Sequence, residues 1–410
     1  MKQVDRGMHP HVDDIPVLIL LNSLEMGGSQ KNAVELADVV RQYGYSPTVM
    51  AWNLSDDSNK SILEIAAKRG LEVVQLDRPR RTLAAGKVVA AVAHERRCRL
   101  VHSYGWTMFT TFWGPGRWGR LPLVSTIYEM HVYPGPPYRS TFIYGTEYQH
   151  LLARRRGPSY LVPPPVDLEH DNPALFRYEA SDAVIKLVIV SRLAEEMKAK
   201  GIETAIHAMQ QLPSSVQLVI AGDGDAATRL RNLGRSTNQV LGREAVVFTG
   251  NAVDARPLYA QADIVLGMGG SAARGLAFAK PLVALGDHGW SETFTPASAQ
   301  VLSANSYWSD EPEPDPERRL VRQLTPLICS RTYREELGRF GQEFIRCRQG
   351  LDRMGSNLAR IYSDALKNHS RAGWYLDALP IVFLKSREAG RRLVGLDSKV
   401  LNLRRSQHRL

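Results

Sequence analysis

The sequence predicts an α/β protein of two domains, each built on a parallel, doubly wound sheet. Short apolar runs of the buried-strand type alternate with helical patterns through the first half of the chain, and the alternation restarts after an interruption. Strands that alternate with helices are typical of parallel sheets. The chain has 410 residues, enough for two domains of about 100–200 residues each. We therefore expect two such sheets in series.

The strands of the first domain are predicted from six apolar runs. The first run is followed by a helix in which Ala33, Leu36, Ala37 and Val40 repeat at helical spacing, and Gly44 ends that helix. The six runs are PVLILL, PTVMAW, LEVVQL, RLVHS, PLVSTIY and YLVP.

Consecutive prolines separate the two domains. The stretch VPPPVDLEHDNP breaks the alternation and is typical of a linker, which we place near residues 163–182. The domains are therefore expected at 16–175 and 183–345. The predicted strands of the second domain are KLVIVS, VQLVIAG, AVVFTG, ADIVLGM and PLVAL.

The two ends of the chain carry weaker signals. Residues 1–15 lack the apolar core of a signal peptide and are predicted to be disordered. After the proline- and acid-rich loop SDEPEPDPERR, a helical pattern runs from about Leu320 to Leu366, with a final helical segment at 346–368. We place the end of the folded unit near Asn368 and expect a basic appendage at 369–410.

Composition limits the classes of function. Apolar residues make up 44% and charged residues 23% of the chain, as in soluble globular proteins, and three cysteines without metal spacing suit a reducing cytoplasm. The net charge is +10, and residues 386–410 hold seven Lys or Arg against two acids. A solvated tail is favoured over contact with an anionic membrane. No nucleic-acid recognition motif is present, so a nucleic-acid partner is not expected.

Glycine clusters follow several predicted strands. They are Gly27 with Gly28, Gly222 with Gly224, Gly250, and the loop GMGG that ends at Gly270. Ligands bind beyond the carboxyl ends of the strands in open parallel sheets. Two domains that present such edges to each other would enclose a ligand between them.

Three loops contain candidate binding residues. LEMGGSQ precedes a helix whose N-terminal amides can attract phosphate, although an ordinary tight turn has the same pattern. SRLAEEMKAKG supplies Arg192, Lys198 and Lys200, which could balance a diphosphate. AGDGD offers Asp223 and Asp225 as a metal pair, but a strand-to-helix turn is the favoured interpretation, so no metal site is predicted. The scattered histidines form no recognisable nucleophilic triad.

Taken together, these stretches resemble family 4 glycosyltransferases of the GT-B fold, in which two Rossmann-like domains face each other across a cleft. The resemblance runs from about Pro16 to Leu366, and its motifs occur in order at the right intervals. They include LLNSLEMGGSQKNAVELADVVRQYGY, RLVHSYG, PLVSTIYE, LVPPPVDLEH, IVSRLAEEMKAKGIETAIHAM, VQLVIAGDGD, VVFTGNAVDARPLYAQADIVLGMG and RGLAFAKPLVALGDHGWSE. In these enzymes a helix like the final LARIYSDAL crosses back to the first domain.

The resemblance implies transfer of a sugar from a nucleotide diphosphate sugar, such as a UDP-sugar, to an acceptor with retention of anomeric configuration. Neither a metal nor another cofactor is expected. Arg192 with Lys198 or Lys200 would stabilise the diphosphate as catalytic cations, and two extra residues before KG leave the choice of lysine open. The donor-binding residues it implies are Gly27, Gly28, Gly222, Gly267, Met268, Gly269, Gly270, Ser271 and Arg274.

Three positions depart from the family pattern. Leu266 and Arg274 stand where the family has two glutamates, and neither side chain can accept a hydrogen bond. Arg274 is therefore expected to turn either towards the diphosphate or towards solvent. Tyr128 stands at the position of a first-domain histidine, and Glu129 and His131 lie nearby as further acceptor-side candidates.

The sequence leaves three functions open. An active transferase in polysaccharide, glycolipid or natural-product glycoside synthesis is favoured because the basic residues and the glycine loops are present. A non-catalytic binding subunit would explain the lost glutamates, and a sugar-nucleotide isomerase or hydrolase of the same fold is a third alternative. The expected location is the cytoplasm, with peripheral contact at the inner membrane face through the basic tail as an open alternative.

Overall fold

The computed structural model describes residues 14–24, 27–53, 61–128, 135–176, 184–252 and 254–393. The first domain contains a seven-stranded sheet in which all paired strands are parallel. The strands are β1 (Ile15–Leu21), β2 (Tyr45–Trp52), β3 (Glu72–Leu76), β4 (Leu100–Tyr104), β5 (Leu123–Ile127), β6 (Thr141–Tyr144) and β7 (Ser159–Leu161). The helices of this domain are α1 (Gly28–Val40), α2 (Ser61–Lys68), α3 (Thr82–Glu95), α4 (Met108–Trp113) and α5 (Glu147–Ala153).

The second domain contains a six-stranded sheet that is parallel except for its last strand. The strands are β8 (Ile185–Val190), β9 (Val216–Ala221), β10 (Val246–Gly250), β11 (Ile264–Gly267), β12 (Leu282–Leu285) and β13 (Ser291–Thr293). The helices of this domain are α6 (Ala199–Ala208), α7 (Ala227–Leu241), α8 (Arg256–Gln261), α9 (Gly270–Ala277), α10 (Ala299–Ala304), α11 (Pro316–Cys329) and α12 (Arg331–Gln349).

In both sheets the order of the strands along the chain reverses near the centre of the sheet. The first has the order β3-β2-β1-β4-β5-β6-β7, and the second has the order β10-β9-β8-β11-β12-β13. The middle strands are almost wholly apolar, as in VLILL of β1, because helices cover both faces of a parallel sheet. Two doubly wound α/β domains were predicted, and this fold class is confirmed.

The chain crosses between the domains twice, and the two crossings are hydrogen-bonded to each other. The Val166 amide of the linker donates to the Gln349 carbonyl at 2.8 Å, and the Leu351 amide donates back to the Val166 carbonyl at 2.9 Å. Helix α13 (Leu351–Lys367) then packs in the first-domain core, where Met354 and Tyr362 are buried. This helix lies within the segment 346–368, for which a return to the first domain was expected.

The last helix, α14 (Arg371–Leu393), lies in the segment that was expected to be a basic appendage. Its first half instead packs on the first domain, with Trp374 and Ile381 in a core cluster that also contains Phe112. The physical reason is that Trp374, Ala378 and Ile381 recur at helical spacing and form the face that packs on this domain. Residues 394–410 lie outside the described residues, as do residues 1–13 of the predicted disordered N-terminus.

Candidate functional site

In each sheet, the point where the strand order reverses lies beside a glycine-containing loop. We call this the reversal point of the sheet. In the first sheet it falls between β1 and β4, and in the second between β8 and β11. The crevice at such a reversal is where open α/β sheets bind ligands. Most of the predicted donor-side residues lie at the ends of β1, β8 and β11, in the loops that follow these strands or in the helices that come next, so the fold brings them to the two reversal points.

The loop between β11 and α9 leaves its backbone accessible. Gly269 has a φ of 60°, which favours glycine, and its amide donates to the Ser306 carbonyl at 2.8 Å. The Ser271 hydroxyl donates to the Met268 carbonyl at 2.9 Å and fixes the first turn of α9. Gly270 is exposed, and a Cβ added there would meet no atom within 4 Å. The backbone at Gly270, in the first turn of α9, is therefore open to a ligand, and a helix N-terminus favours anions.

Gly267 and Leu266, at the end of β11, are buried and serve packing. Leu266 is fully buried in the second-domain core, so it supplies no group to the cleft. Gly267 is buried, and a Cβ there would lie 3.0 Å from the Ser271 hydroxyl oxygen. Its lack of a side chain thus allows α9 to start directly above the strand.

The structure separates the two candidate lysines. Register pairing of Leu266 with Ile189 makes β8 and β11 neighbours, so the loop after β8 leaves the same sheet edge. Arg192 in that loop is exposed. Burial and the adjacent Arg192 charge lower the pKa of Lys198 to about 8, and Asp287 partly opposes that shift. Lys200 instead faces Glu203 in an exposed ion pair of 3.6 Å. Lys198 is therefore the lysine that shares the electrostatic environment of Arg192.

The AGDGD turn holds the loop after β8 in place. Gly222 has a φ of 142°, and a Cβ there would overlap the Ser191 carbonyl oxygen, so its glycine is required by packing of the backbone. Asp223 accepts from Arg231 at 3.3 Å, and Asp225 accepts two backbone N–H groups at 3.0 Å each. These contacts explain the motif as a turn. The donor-binding role of Gly222 stays a prediction.

The first domain contributes a second open helix N-terminus. Gly27 is the N-cap residue of α1, and a Cβ on it would overlap the Gln30 side chain. Gly28 is exposed, and no atom lies within 4 Å of an added Cβ. The backbone at Gly28 is thus as accessible as the backbone at Gly270, although the preceding residues 25 and 26 are outside the described part of the chain.

Of the three acceptor-side candidates, only Tyr128 lies within the described residues. Its ring packs so tightly on Gly145 that a Cβ there would lie 2.6 Å from the ring. Its hydroxyl is buried and has no hydrogen-bond partner among the described residues. Gly145 lines a small interdomain pocket together with Gly269 and Gly270, so Tyr128 lies directly behind the surface that faces the glycine loop. Glu129 and His131 lie outside the described residues.

Arg274 takes neither of the two orientations expected for it. Its guanidinium Nε lies 3.3 Å from Asp171 Oδ2 in the linker, and the Asp171 side chain is only 4% exposed. The charge of Arg274 also lowers the pKa of Lys31 on α1, after burial, which is the larger cause. Arg274 therefore lies in a contact between the domains. Its predicted role in donor binding is untested.

This contact is part of an interdomain charge cluster that the sequence analysis missed. Lys31 Nζ lies 3.4 Å from Glu35 Oε1, and Arg69 lies 2.7 Å from Asp167. The second Glu35 oxygen is buried without a hydrogen-bond partner among the described residues, and burial raises the pKa of this carboxyl. The one available signal was the four-residue spacing of Lys31 and Glu35 on α1. We define the cluster as Lys31, Glu35, Arg69, Asp167, Asp171 and Arg274.

The described part of the chain holds no group of three or more His, Cys, Asp or Glu side chains that could bind a metal ion. No helix within the described residues has the length and apolar character needed to span a membrane.

Solved structures with the same architecture are GT-B proteins. The chain is similar to a glycosyltransferase from Rickettsia africae, with a TM-score of 0.67 and 16% identity over 87% of this chain and 100% of that one. It is similar to HepE from Anabaena in complex with UDP and glucose, with a TM-score of 0.63 and 16% identity over 85% and 100% of the two chains. It also resembles a putative UDP-N-acetylglucosamine 2-epimerase from Listeria monocytogenes, with a TM-score of 0.57 and 11% identity over 87% and 98%. The fold is GT-B, as the sequence predicted.

The second domain has a match at the level of sequence. Residues 185–307 match the family model described as glycosyl transferases group 1. This range begins with β8 and ends just after α10, so it contains both the Arg192–Lys198 loop and the glycine loop. No curated protein matches the chain.

Proposed function

We propose that this protein transfers a sugar from a nucleotide diphosphate sugar to an acceptor. The observation that carries the proposal is the arrangement at the reversal point of the second sheet. There Arg192 and Lys198 leave the end of β8, next to the open N-terminus of α9 at Gly270. Two cations and a helix N-terminus beside a glycine-rich loop match the charge of a diphosphate.

The chemistry follows from where charge develops. When the bond between the sugar and the diphosphate breaks, negative charge grows on the leaving diphosphate. We expect Arg192, Lys198 and the amides of α9 to stabilise that charge, which would lower the barrier without a protein nucleophile. Leu266 and Arg274 stand where the family that the chain resembles has two glutamates. The cations Arg192 and Lys198 and the helix N-terminus of α9 are nevertheless present. Retention of configuration, as in family 4, is part of the proposal.

The proposed donor is a UDP-sugar, and the proposed reaction needs no metal. The similar HepE structure holds UDP and glucose, which makes UDP-glucose the first donor to test. Asp223 and Asp225 already form hydrogen bonds in the turn after β9. In the proposed reaction, Arg192 and Lys198 therefore balance the diphosphate charge instead of a metal ion. We further propose a cytoplasmic protein whose acceptor is a carbohydrate, a lipid-linked sugar or a small molecule.

A binding subunit without catalysis, or a sugar-nucleotide isomerase or hydrolase, is the second candidate. The burial of Leu266 and the ion pair of Arg274 favour it, because neither residue offers the hydrogen-bond acceptors of the family site. The chain is also similar in fold to the putative UDP-N-acetylglucosamine 2-epimerase from Listeria monocytogenes, which supports the isomerase alternative.

The deciding experiment measures nucleoside diphosphate released from UDP-glucose with and without a panel of acceptors, in EDTA and in Mg²⁺ or Mn²⁺. A transferase releases UDP in proportion to glycosylated acceptor, and EDTA leaves the rate unchanged. Donor binding without turnover would support the binding subunit, and UDP release without any glycosylated product would support the hydrolase. Activity that is lost in EDTA and restored by Mn²⁺ would reject metal independence.

A further inference from the structure

The outer face of α14 is exposed and apolar. Tyr375, Leu376 and Leu379 are 50%, 52% and 72% exposed, and they lie on one side of the helix because their spacing is one and four residues. The same side continues through Val382 and Phe383, which are 52% and 62% exposed. We call these five residues the α14 stripe. Single exposed apolar residues are ordinary on a protein surface, but a contiguous set marks an interaction site.

The opposite face fixes the stripe to the first domain. The Trp374 ring stacks on Phe112 at 5.3 Å, and its indole N–H donates to the Phe112 carbonyl at 3.0 Å. Asp377 is buried and accepts from the Arg139 amide at 2.8 Å and from the Arg139 guanidinium at 3.2 Å. Because its other side is anchored in this way, the helix presents the α14 stripe as a fixed surface of the folded protein.

Aromatic and basic side chains border the stripe. Trp118 is 43% exposed, and its ring lies 5.9 Å from the ring of Tyr375. The Arg117 guanidinium lies 4.6 Å above the Trp118 ring. Trp and Tyr side chains favour the boundary between water and lipid, since one end of each is apolar and the other is polar. This border matches the chemistry of a lipid headgroup region.

The charge of the helix also favours an anionic surface. Beyond the stripe, α14 continues through a segment that carries Lys385, Arg387, Arg391 and Arg392 against the single acid Glu388. Basic residues next to an apolar helix face add attraction to anionic lipids.

We propose that α14 docks the protein on an anionic lipid bilayer. The stripe would lie in the headgroup and upper acyl region, with Trp118 and Tyr375 at the boundary between water and lipid. The helix would lie in the plane of the membrane without crossing it. This inference does not depend on the proposed sugar transfer, and its test measures binding alone.

The test is cosedimentation of the full chain with vesicles of phosphatidylcholine, alone or with about one third phosphatidylglycerol, at about 0.1 M salt. We expect binding at least tenfold tighter to the anionic vesicles, weakened by added salt. The double variant Leu376→Glu/Leu379→Glu should lose at least tenfold of that affinity. The matched control Val240→Glu/Val301→Glu changes side chains that are 73% and 71% exposed on the second domain and should bind like the wild type.

Three results would overturn the proposal. The wild type could fail to bind anionic vesicles, or the α14 double variant could bind as well as the wild type. Alternatively, the wild type could sediment as a dimer that the α14 variant converts to a monomer, with no vesicle binding by either, which would assign the stripe to self-association. Circular dichroism and the melting temperature should be the same for all variants, since the changed side chains are exposed.

Discussion

The reversal points of the two sheets have opposite chemical character. In the second domain, the loops there carry the cations Arg192 and Lys198 and the exposed backbone of Gly270. In the first domain, the neighbouring strands β4 and β5 end in buried aromatic and hydroxyl groups. Tyr104 and Tyr128 pack edge to face at 6.1 Å, and His102 lies 4.5 Å from the Tyr104 ring.

In the proposed reaction, this difference favours charge stabilisation by the second domain. His102 is not available as a base, because burial lowers its pKa to about 3. Both of its nitrogens are also engaged at 2.7 Å, one by the Tyr362 hydroxyl and the other by Thr126. The buried groups at the ends of β4 and β5 are thus neutral, whereas the second domain offers the cations Arg192 and Lys198. This division agrees with an anionic donor on the second domain and a neutral acceptor group on the first.

The largest expected effect tests the charged side. Lys198→Met should lower kcat/KM by about a hundredfold, or about 3 kcal/mol of transition-state stabilisation. Lys200→Met is the matched control and should change the rate less than about twofold, because Lys200 faces Glu203 in a solvated pair. Steady-state kinetics of both variants provide the measurement. Equal losses would mean that the structural separation of the two lysines has no functional meaning.

The second effect concerns the contact that joins the two sides. Asp171→Asn would leave the Arg274 cation largely without its buried partner. Removing one member of a buried pair costs about 3–5 kcal/mol, and we expect about 2 kcal/mol here because the Arg274 side chain is 25% exposed. The melting temperature should fall by roughly 2–6 °C. Glu343→Gln breaks the fully exposed pair with Arg346 and is the control. An unchanged melting temperature for Asp171→Asn would show that the cluster does not hold the domains together.

The sequence predicted the sheets and the loops better than it predicted the partners of individual side chains. Apolar runs and glycine spacing are local signals, and they led to both domains and to the glycine loop ending at Gly270. The partners of Arg274 could not be predicted in the same way, because Asp171 and Glu35 are far from it in sequence and meet it only when the domains pack. Helix α14 was missed for a different reason. Its buried face is interleaved with exposed apolar residues such as Leu379, so no polar side showed the period.

The third effect is a pH dependence of diphosphate binding. The lowered pKa of Lys198, about 8, means that the side chain is charged below that pH and neutral above it. Bound diphosphate favours the charged form, so affinity should be highest below pH 8 and fall as the pH rises through it. We expect roughly fivefold weaker binding of UDP at pH 9 than at pH 7. Calorimetry across this range measures the effect.

Lys198→Arg is the control for this pH dependence. A guanidinium stays protonated over the whole range, so the variant should bind UDP with nearly constant affinity between pH 7 and 9. If the variant showed the same decline as the wild type, another group would be responsible and Lys198 would not face the diphosphate.

The smallest effect tests the neutral side through two buried phenols that differ in their partners. The Tyr362 hydroxyl is hydrogen-bonded to His102 at 2.7 Å, whereas the Tyr128 hydroxyl is buried without a partner among the described residues. Tyr362→Phe leaves a histidine nitrogen unsatisfied and should destabilise the protein by about 1 kcal/mol. Tyr128→Phe removes a polar group that no described residue satisfies, so stability should stay constant or rise by up to about 1 kcal/mol.

The acceptor KM of Tyr128→Phe tests whether the Tyr128 hydroxyl binds the acceptor. If the Tyr128 hydroxyl forms a hydrogen bond with the bound acceptor, Tyr128→Phe should raise the acceptor KM by about threefold with little change in the donor KM, because a single neutral hydrogen bond is lost. The melting temperature of Tyr128→Phe serves as the internal control, since a folding defect would lower it. If stability falls and both KM values stay constant, Tyr128 is a packing residue of the first domain, and the acceptor must be recognised by other groups on that side of the cleft.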